Sequence, residues 1–266
     1  MDIILLIYVA VVGAVIGSFL NVCIYRIPKA ESIAFPPSHC GSCGKRLKAV
    51  DLIPLFSWLF LRGKCRHCRS KISPRYAVVE ALTGLTFMLL YNKYGFSLDL
   101  LASAFIMSIL IAVFFIDIDH RIIPDELVVT GLVAGVMIVV FNAFFPMKIM
   151  GGGQWWEPLL GMFVGSVTLM IVGLIGMLIY KTDDAMGGGD IKIFAPIGIF
   201  LGWKMTFVAL LLSIILAGVI SLILVIVKVK DRKSTIPFGP FIVMGTLITY
   251  LYGWDILKWY INFLLY

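Results

Sequence analysis

The sequence predicts an all-α polytopic membrane protein with about eight transmembrane helices and a zinc-binding cytoplasmic loop after the first helix. Three observations support this fold class: the composition, the spacing of apolar runs, and the distribution of basic residues. Hydrophobic residues make up 61% of the 266 residues, charged residues make up 14%, and the mean hydropathy is +1.03. Soluble domains are about half apolar and a quarter charged, so lipid must be the solvent for much of this chain.

Apolar runs of spanning length recur along the whole sequence. The first, 3–25, lacks a basic leading region and a small-residue cleavage site, so we expect a retained helix. The other long runs cover about 76–92, 99–116, 126–146, 158–180, 205–228 and 238–264, and a shorter one covers 191–203. Gly13 and Gly17 form a GxxxG motif in the first run, which predicts close packing against another helix.

The basic residues fall almost entirely on one side of the predicted membrane. When the loop after the first helix is placed in the cytoplasm, 18 of the 22 Lys and Arg residues lie on the cytoplasmic side. The positive-inside rule therefore predicts that both termini lie outside and that the 26–75 loop lies inside. This topology explains the net charge of +7, so the charge does not predict a nucleic-acid partner.

The 26–75 loop contains four of the five cysteines, arranged as two CxxC pairs. The pairs are Cys40 with Cys43 and Cys65 with Cys68. Two such turns supply four thiolates, which predicts a structural tetrahedral zinc site with no open position for water. Disulfide pairing is the alternative, and the reducing cytosol predicted for this loop disfavours it. Cys23 has no partner in the sequence, and we interpret it as a small apolar residue.

Two aspartates stand at the ends of apolar runs, where the membrane disfavours charge. Asp117 directly follows the run 99–116, and Asp190 opens the next short run after Gly187-Gly188-Gly189. Both face the predicted cytoplasmic side, and an ionisable residue at the hydrocarbon edge is a candidate functional group. Two carboxylates in a low-dielectric site can share one proton and activate water, as in aspartic proteolysis. Spacing does not separate Asp117 from Asp119, so both remain candidates.

The other acids near these runs have structural interpretations. Asp125 and Glu126 follow Pro124, and we expect them in the first turn of a helix, where carboxylates are stabilising. Asp183 and Asp184 are expected to be exposed loop acids or helix caps. These positions therefore do not compete with the two aspartates at the apolar boundary.

Further residues leave alternatives open. Lys192 either interacts with Asp190 or extends to the interface. Glu80 lies just inside a predicted span and needs a partner, so it could anchor either the substrate or the zinc loop. Pro237, Gly239 and Pro240 mark either a simple start of the last helix or a strained entry to the site.

Five motifs occur in a fixed order from about residue 13 to residue 241. They are Gly17-Ser18-Phe19-Leu20-Asn21-Val22 with Tyr25-Arg26-Ile27-Pro28, the paired CxxC motifs followed by Ile72-Ser73-Pro74-Arg75-Tyr76 and Glu80, the stretch from Asp117 to Asp125, Gly187-Gly188-Gly189-Asp190-Ile191-Lys192, and Ile236-Pro237-Phe238-Gly239-Pro240-Phe241. Together they resemble the type IV prepilin leader peptidase/N-methyltransferase family, a branch of the GxGD membrane aspartyl proteases. A lone GxGD motif would be weak evidence, whereas five motifs in this order are specific.

The resemblance implies which residues act and on what. It identifies Asp117 and Asp190 as the catalytic pair of an aspartic-type endopeptidase in the bacterial cytoplasmic membrane, with the active site facing the cytoplasm. The implied substrates are prepilins and pseudopilins, which lose a short basic leader. The cysteine loop is associated with bifunctional members, so N-methylation of the new amino terminus with S-adenosylmethionine is also implied. No dinucleotide-type motif in the sequence identifies the residues that would bind this methyl donor.

The resemblance also implies a division of the chain and two departures from the family pattern. Residues 1–95 would hold the first two helices and the zinc loop, and residues 96–266 would form the peptidase membrane domain. The two aspartates are further apart than the family pattern, and the run 147–157 is interpreted as an external insertion. Ala77 stands where the family usually has proline.

Two rival functions are compatible with parts of the sequence. A proton- or cation-coupled transporter could use paired carboxylates, but it predicts them at mid-depth and a water route across the bilayer. A zinc-dependent scaffold explains the cysteines but gives no role to two aspartates at matched depth. The sequence does not specify the oligomeric state or which pilins are cut.

Overall fold

The computed structural model describes residues 3–150, 154–181, 187–229 and 236–265, and every long element in these residues is an α-helix. The helices are α1 (Ile3–Arg26), α2 (Phe56–Phe60), α3 (Arg75–Tyr94), α4 (Leu98–His120), α5 (Asp125–Phe144), α6 (Glu157–Tyr180), α7 (Gly188–Ile226) and α8 (Gly239–Leu265). They form two compact units, Met1–Phe96 and Ser97–Tyr266. The prediction of an all-α polytopic membrane protein is confirmed.

Unit 1 is built on the packing of α1 against α3. The predicted GxxxG motif lies at this contact, where a Cβ atom on Gly17 would stand 2.8 Å from the Cα atom of Glu80. One turn earlier, a Cβ atom on Gly13 would stand 2.9 Å from the Cα atom of Gly84. The two backbones therefore approach as closely as glycine permits, which confirms the predicted role of the motif.

The segment between α1 and α3 folds back onto the ends of these two helices. Arg26 is buried, and its guanidinium donates hydrogen bonds to the carbonyl oxygens of Ser32 (2.8 Å) and Pro36 (2.6 Å). Glu80 accepts a hydrogen bond of 2.7 Å from the backbone N–H of Leu55. Of the two roles that the sequence left open for Glu80, the structure therefore shows the contact with the loop.

The described residues of unit 2 form five helices, and α4 is the most deeply buried of them. Its start is capped by Ser97, whose side chain accepts a hydrogen bond from the Leu100 N–H. α4 ends at His120, one turn after Asp117. The next residue, Arg121, adopts a left-handed conformation and donates its backbone N–H to the Asp117 carbonyl oxygen (2.9 Å). Asp117 thus lies in the last turn of a buried helix.

Helix α7 reverses direction at Gly202, whose φ of 72° and ψ of 164° are not helical. Residues on both sides of Gly202 pack against the same point of α6: a Cβ atom on Gly165 would lie 2.8 Å from Phe194 and 3.0 Å from Thr206. The 39 residues of α7 would be about 58 Å long as one straight helix, about twice the hydrocarbon thickness. The reversal turns α7 into two antiparallel arms, which correspond to the predicted runs 191–203 and 205–228.

Six helices in the described part of the chain are long and apolar enough to cross a membrane. They are α1, α4, α5, α6, α7 and α8. The prediction of about eight runs differs because α7 contains two of them and because α3, which is less apolar than the others, contains a further one.

The segment after α5 is packed rather than exposed where the structure describes it. Met147, Ile149 and Met150 are each 2% exposed, and the Ile149 N–H donates to the Asp99 carboxylate (3.0 Å). The first residues of the run 147–157 are therefore part of the core, so its interpretation as an external insertion holds only in part. Residues 151–153 lie outside the described residues.

Candidate active site

Asp117 lies at the end of α4 and Asp190 at the start of α7, and these two helix ends lie side by side where Gly189 packs against Ile123. The Asp117 side chain is buried, with 5% of the residue exposed, and Asp190 is half-buried. The two carboxyl groups lie within electrostatic range of each other. Asp119, which spacing left as an alternative, is exposed to solvent. The arrangement of the helices therefore favours Asp117 over Asp119 as the partner of Asp190.

The start of α8 donates a backbone hydrogen bond to the Asp117 carboxylate. The backbone N–H of Gly239, the first residue of α8, donates a hydrogen bond of 2.9 Å to Asp117 Oδ2. A Cβ atom on Gly239 would stand only 2.7 Å from the same oxygen, so a side chain there would displace the carboxylate. Of the two interpretations left open for Pro237, Gly239 and Pro240, the structure shows a helix start at Gly239, and the hydrogen bond from this residue to Asp117 was not predicted.

Glycines before Asp190 allow the beginning of α7 to come close to its neighbours. A Cβ atom on Gly189 would lie 3.0 Å from Ile123 Cβ, in the connection between α4 and α5. A Cβ atom on Gly187 would lie 2.8 Å from Asp190 Oδ2. The Ser166 hydroxyl of α6 donates to the Ile191 carbonyl oxygen at 2.9 Å. The first turn of α7 is thus held between α6 and the end of α4.

Lys192, the basic residue nearest to Asp190 in the sequence, pairs with another acid. Lys192 does not turn back to Asp190; its Nζ lies 2.9 Å from Asp125 Oδ1 in an exposed ion pair. Asp125 and Glu126 are exposed in the first turn of α5, as predicted from Pro124. The predicted loop acids Asp183 and Asp184 lie outside the described residues.

The four loop cysteines of unit 1 form one cluster. The Sγ atoms of Cys40, Cys43, Cys65 and Cys68 all lie within 4.8 Å of one another. The Sγ atoms of Cys40 and Cys68 are 3.9 Å apart. A tetrahedron with metal–sulfur bonds of about 2.3 Å has edges of about 3.8 Å, whereas a disulfide would place two sulfurs about 2.05 Å apart. The cluster therefore has the size of a four-thiolate metal site.

The two CxxC turns are built alike. The Cys40 N–H donates to the Lys45 carbonyl, and the Cys65 N–H donates to the Ser70 carbonyl, both at 2.9 Å. A residue with positive φ follows each pair: Gly44 (φ 66°) and Arg69 (φ 60°). Backbone N–H groups of Cys43 and Ser42 lower the pKa of the Cys40 thiol to about 6. The pKa of the Cys43 thiol is raised to about 11: the Lys45 N–H lowers it, but burial and the Cys68 and Cys40 thiols raise it more, so the two thiols favour the thiolate unequally.

The fold and the site together define a class: a polytopic α-helical membrane protein with two neighbouring carboxyl groups at helix ends. Comparison with known proteins identifies the family. Residues 11–94 match the bacterial peptidase A24 N-terminal domain, and residues 104–222 match the type IV leader peptidase family. The chain belongs to the type IV leader peptidase family and is therefore a peptidase.

Several curated proteins named prepilin leader peptidase/N-methyltransferase are similar over most of this chain. The protein from Stutzerimonas stutzeri is 31% identical over 276 residues, covering 95% of this chain and 92% of that protein. The protein from Bacillus subtilis (strain 168) is 32% identical over 250 residues, covering 94% and 95%. The protein from Myxococcus xanthus (strain DK1622) is 34% identical over 229 residues, covering 86% of this chain and 66% of that protein. No solved structure matches the chain.

The contact between α8 and Asp117 predicts that Gly239→Ala reduces peptide cleavage by about 10²-fold, because small displacements of a catalytic group have costs of this size. The rate of peptide cleavage by the purified variant measures the effect. Gly218→Ala in α7 is the matched control, since a Cβ atom there would meet nothing within 4 Å. Equal rates for the two variants would show that the position of the Asp117 carboxylate does not depend on Gly239.

Proposed function

We propose that this protein is an aspartic endopeptidase that removes the leader from prepilins and pseudopilins, with Asp117 and Asp190 as its catalytic pair. The observation that supports this most directly is the proximity of the two carboxyl groups at the ends of α4 and α7. The names of the curated relatives support the substrate class. In this proposal residues 1–95 form an N-terminal region, and residues 96–266 form the peptidase domain.

The pair performs hydrolysis by acid and base catalysis. One carboxylate takes a proton from a water molecule, whose oxygen attacks the carbonyl carbon of the peptide bond. The other carboxyl group is protonated and donates its proton to the carbonyl oxygen, so the tetrahedral intermediate is neutral. The C–N bond then breaks as the nitrogen receives a proton from the carboxyl group that holds it. A hydroxyl of the intermediate gives its proton to the other carboxylate, so the pair again holds one proton. The two groups titrate as a unit.

The hydrogen bond from Gly239 has a defined role in this mechanism. It occupies Oδ2 of Asp117 and restrains the carboxyl group, which leaves Oδ1 to bind water or substrate in this proposal. The glycines before Asp190 have no side chains to obstruct an extended peptide, and a Cβ atom on Gly188 would meet nothing within 4 Å. The substrate backbone approaches the pair from this open side.

The site faces the cytoplasm in this proposal, and the protein is located in the bacterial cytoplasmic membrane. The positive-inside distribution of Lys and Arg supports this orientation. A prepilin presents its basic leader to the cytoplasm and its apolar helix to the bilayer, so the bond to be cut lies at the boundary between them. Glu126, an exposed acid in the first turn of α5, reduces the repulsion between the basic rim and the leader.

The proposal includes a structural Zn²⁺ ion held by Cys40, Cys43, Cys65 and Cys68. The separation of 3.9 Å between the Cys40 and Cys68 sulfurs supports it, as do the two similar turns. Four thiolates fill a tetrahedral shell, so this ion would hold the loop together and would not activate water. Nearby basic residues, among them Lys45 and Arg66, offset the two net negative charges of such a centre.

N-methylation of the mature amino terminus is the second activity in this proposal. The names of the curated relatives and the cysteine loop support it. S-adenosylmethionine would supply an electrophilic methyl group on a sulfonium centre. The positions of the two carboxyl groups do not support a transporter, because both lie at helix ends rather than near the middle of a span.

Replacement of the catalytic pair gives the principal test of the peptidase. Asp117→Asn and Asp190→Asn are each expected to reduce prepilin cleavage by at least about 10³-fold, because each removes one of two groups that act as a unit. Asp119→Asn is the matched control and should retain cleavage. The measurement is prepilin cleavage in membranes with equal amounts of each variant. Wild-type cleavage by Asp117→Asn or Asp190→Asn would refute the assignment.

The metal content of the purified protein tests the cysteine cluster. Elemental analysis should give about one zinc ion per chain, and Cys65→Ser should lose it because three thiolates bind zinc less tightly than four. Cys23→Ser is the control, since Cys23 is buried in α1 apart from the four-cysteine cluster. Unchanged zinc content in Cys65→Ser would exclude this cluster as the metal site.

A further inference from the structure

The connection between α1 and α3 contains an apolar segment, residues 50–61, that is exposed. Its one charged residue, Asp51, is paired with Arg66 at 2.7 Å. A helical span needs about 20 apolar residues, and a stretch of about half that length belongs either to a core or to the membrane interface. The large apolar residues that are between 41% and 83% exposed here are Val50, Leu52, Ile53, Phe56, Leu59 and Phe60. This segment is therefore not part of a protein core.

Helix α2, within this segment, has an outer and an inner face. Phe56, Leu59 and Phe60 form the outer face, because residues three and four apart share one side of a helix. The rings of Phe56 and Phe60 stack on each other with their centroids 6.5 Å apart. Trp58 lies on the inner face, where its indole N–H donates to the Ile72 carbonyl oxygen (3.3 Å). The outer face therefore presents only large apolar side chains to the surroundings.

The start of α2 is held beside the spanning helices. Leu55, the residue before α2, donates its backbone N–H to the Glu80 carboxylate at 2.7 Å. Glu80 lies about 8 Å along α3 from the start of that helix. It packs against Gly17, which lies about 14 Å before the end of α1. The apolar segment thus folds back towards the helices rather than projecting beyond their ends.

A cavity separates the inner face of α2 from the last turns of α1. Its lining includes Ser57 of α2, Ser18, Val22 and Tyr25 of α1, and Glu80 of α3. The outer face of α2 therefore points away from α1 and α3, at the level where α1 ends. Because α1 is long and apolar enough to cross a membrane, the surroundings at this level are the boundary between acyl chains and headgroups.

The outer face of α2 continues a surface that already faces lipid. Phe19 of α1 and Val78 of α3 are exposed apolar residues near the same ends of their helices. Lipid is the solvent for such side chains on a spanning helix. The outer face of α2 extends this apolar surface without a charged residue in between 52 and 61.

Exposed basic residues flank the apolar segment on both sides. Lys45, Arg46 and Lys48 precede it, and Arg62 and Lys64 follow it. An apolar face bordered by Lys and Arg is typical of segments that lie in the membrane interface, where the cations interact with anionic lipid headgroups. The charge around the segment therefore complements a lipid surface.

We propose that the apolar segment is an interfacial membrane anchor, with the outer face of α2 among the acyl chains and the flanking Lys and Arg at anionic headgroups. The connection between α1 and α3 is then tethered to the bilayer at its middle as well as at its ends. The inference concerns the leaflet in which α1 ends, and it does not depend on which compartment that leaflet faces.

Cross-linking to lipid tests the contact in the full-length wild type. The protein is reconstituted into vesicles of phosphatidylethanolamine and phosphatidylglycerol that contain a phospholipid with a diazirine on one acyl chain. After illumination, mass spectrometry of the peptides should locate cross-links within residues 52–61 and within α6, a spanning helix that serves as the positive control. Residues 37–48 should carry none. Cross-links in α6 without any in 52–61 would overturn the proposal.

Cysteine accessibility on the same vesicles distinguishes lipid from water and from a protein partner. Phe60→Cys should react with a membrane-impermeant maleimide at least about tenfold more slowly than Lys48→Cys, because burial of the remaining apolar side chains favours the inserted state by at least this factor. The reagent is added during freezing and thawing so that it reaches both sides, and peptide mapping separates these sites from the native cysteines. Equal rates would place Phe60 in water and overturn the proposal. Slow reaction of Phe60→Cys without lipid cross-links would assign the outer face to a protein partner, and it would also overturn the proposal.

Discussion

The candidate active site depends on one hydrogen bond, from the Gly239 N–H to Asp117 Oδ2. Asp117 lies in the last turn of α4, where the helix dipole and burial both disfavour a carboxylate. The first turn of α8 compensates, because its N–H groups have no partners within the helix and its dipole has the opposite direction. The end of one helix is therefore stabilised by the start of another, and Asp190 enters at the start of a third.

Glycine is what allows these helix ends to meet. In unit 2 a methyl group on Gly239, Gly189 or Gly187 would collide with or crowd Asp117, Ile123 or Asp190, respectively. In unit 1 the same property joins α1 to α3. Lipid gives little hydrophobic driving force for helix association, so close backbone contact and buried hydrogen bonds must supply it. The same contacts that hold the helices together thus set the positions of the carboxyl groups.

The parts of this structure that were predictable from the sequence are those encoded locally. The apolar runs, the CxxC pairs and the helix start after Pro124 each depend on neighbouring residues. Spacing could not separate Asp117 from Asp119, because that choice depends on how α4 is packed. The hydrogen bond between Gly239 and Asp117 links residues 122 positions apart, and no local pattern predicts it. The cavity beside Glu80 is lined by residues that are far apart in the sequence, so no local pattern predicts it either.

The most direct test of the central claim is a double-mutant cycle on prepilin cleavage with Asp117→Asn, Asp190→Asn and the double variant. Residues that act as one unit have strongly non-additive effects, so the account predicts that the double variant is about as slow as either single variant. A double variant whose loss equals the product of the two single losses would contradict the account, because it would show that the two carboxyl groups act independently.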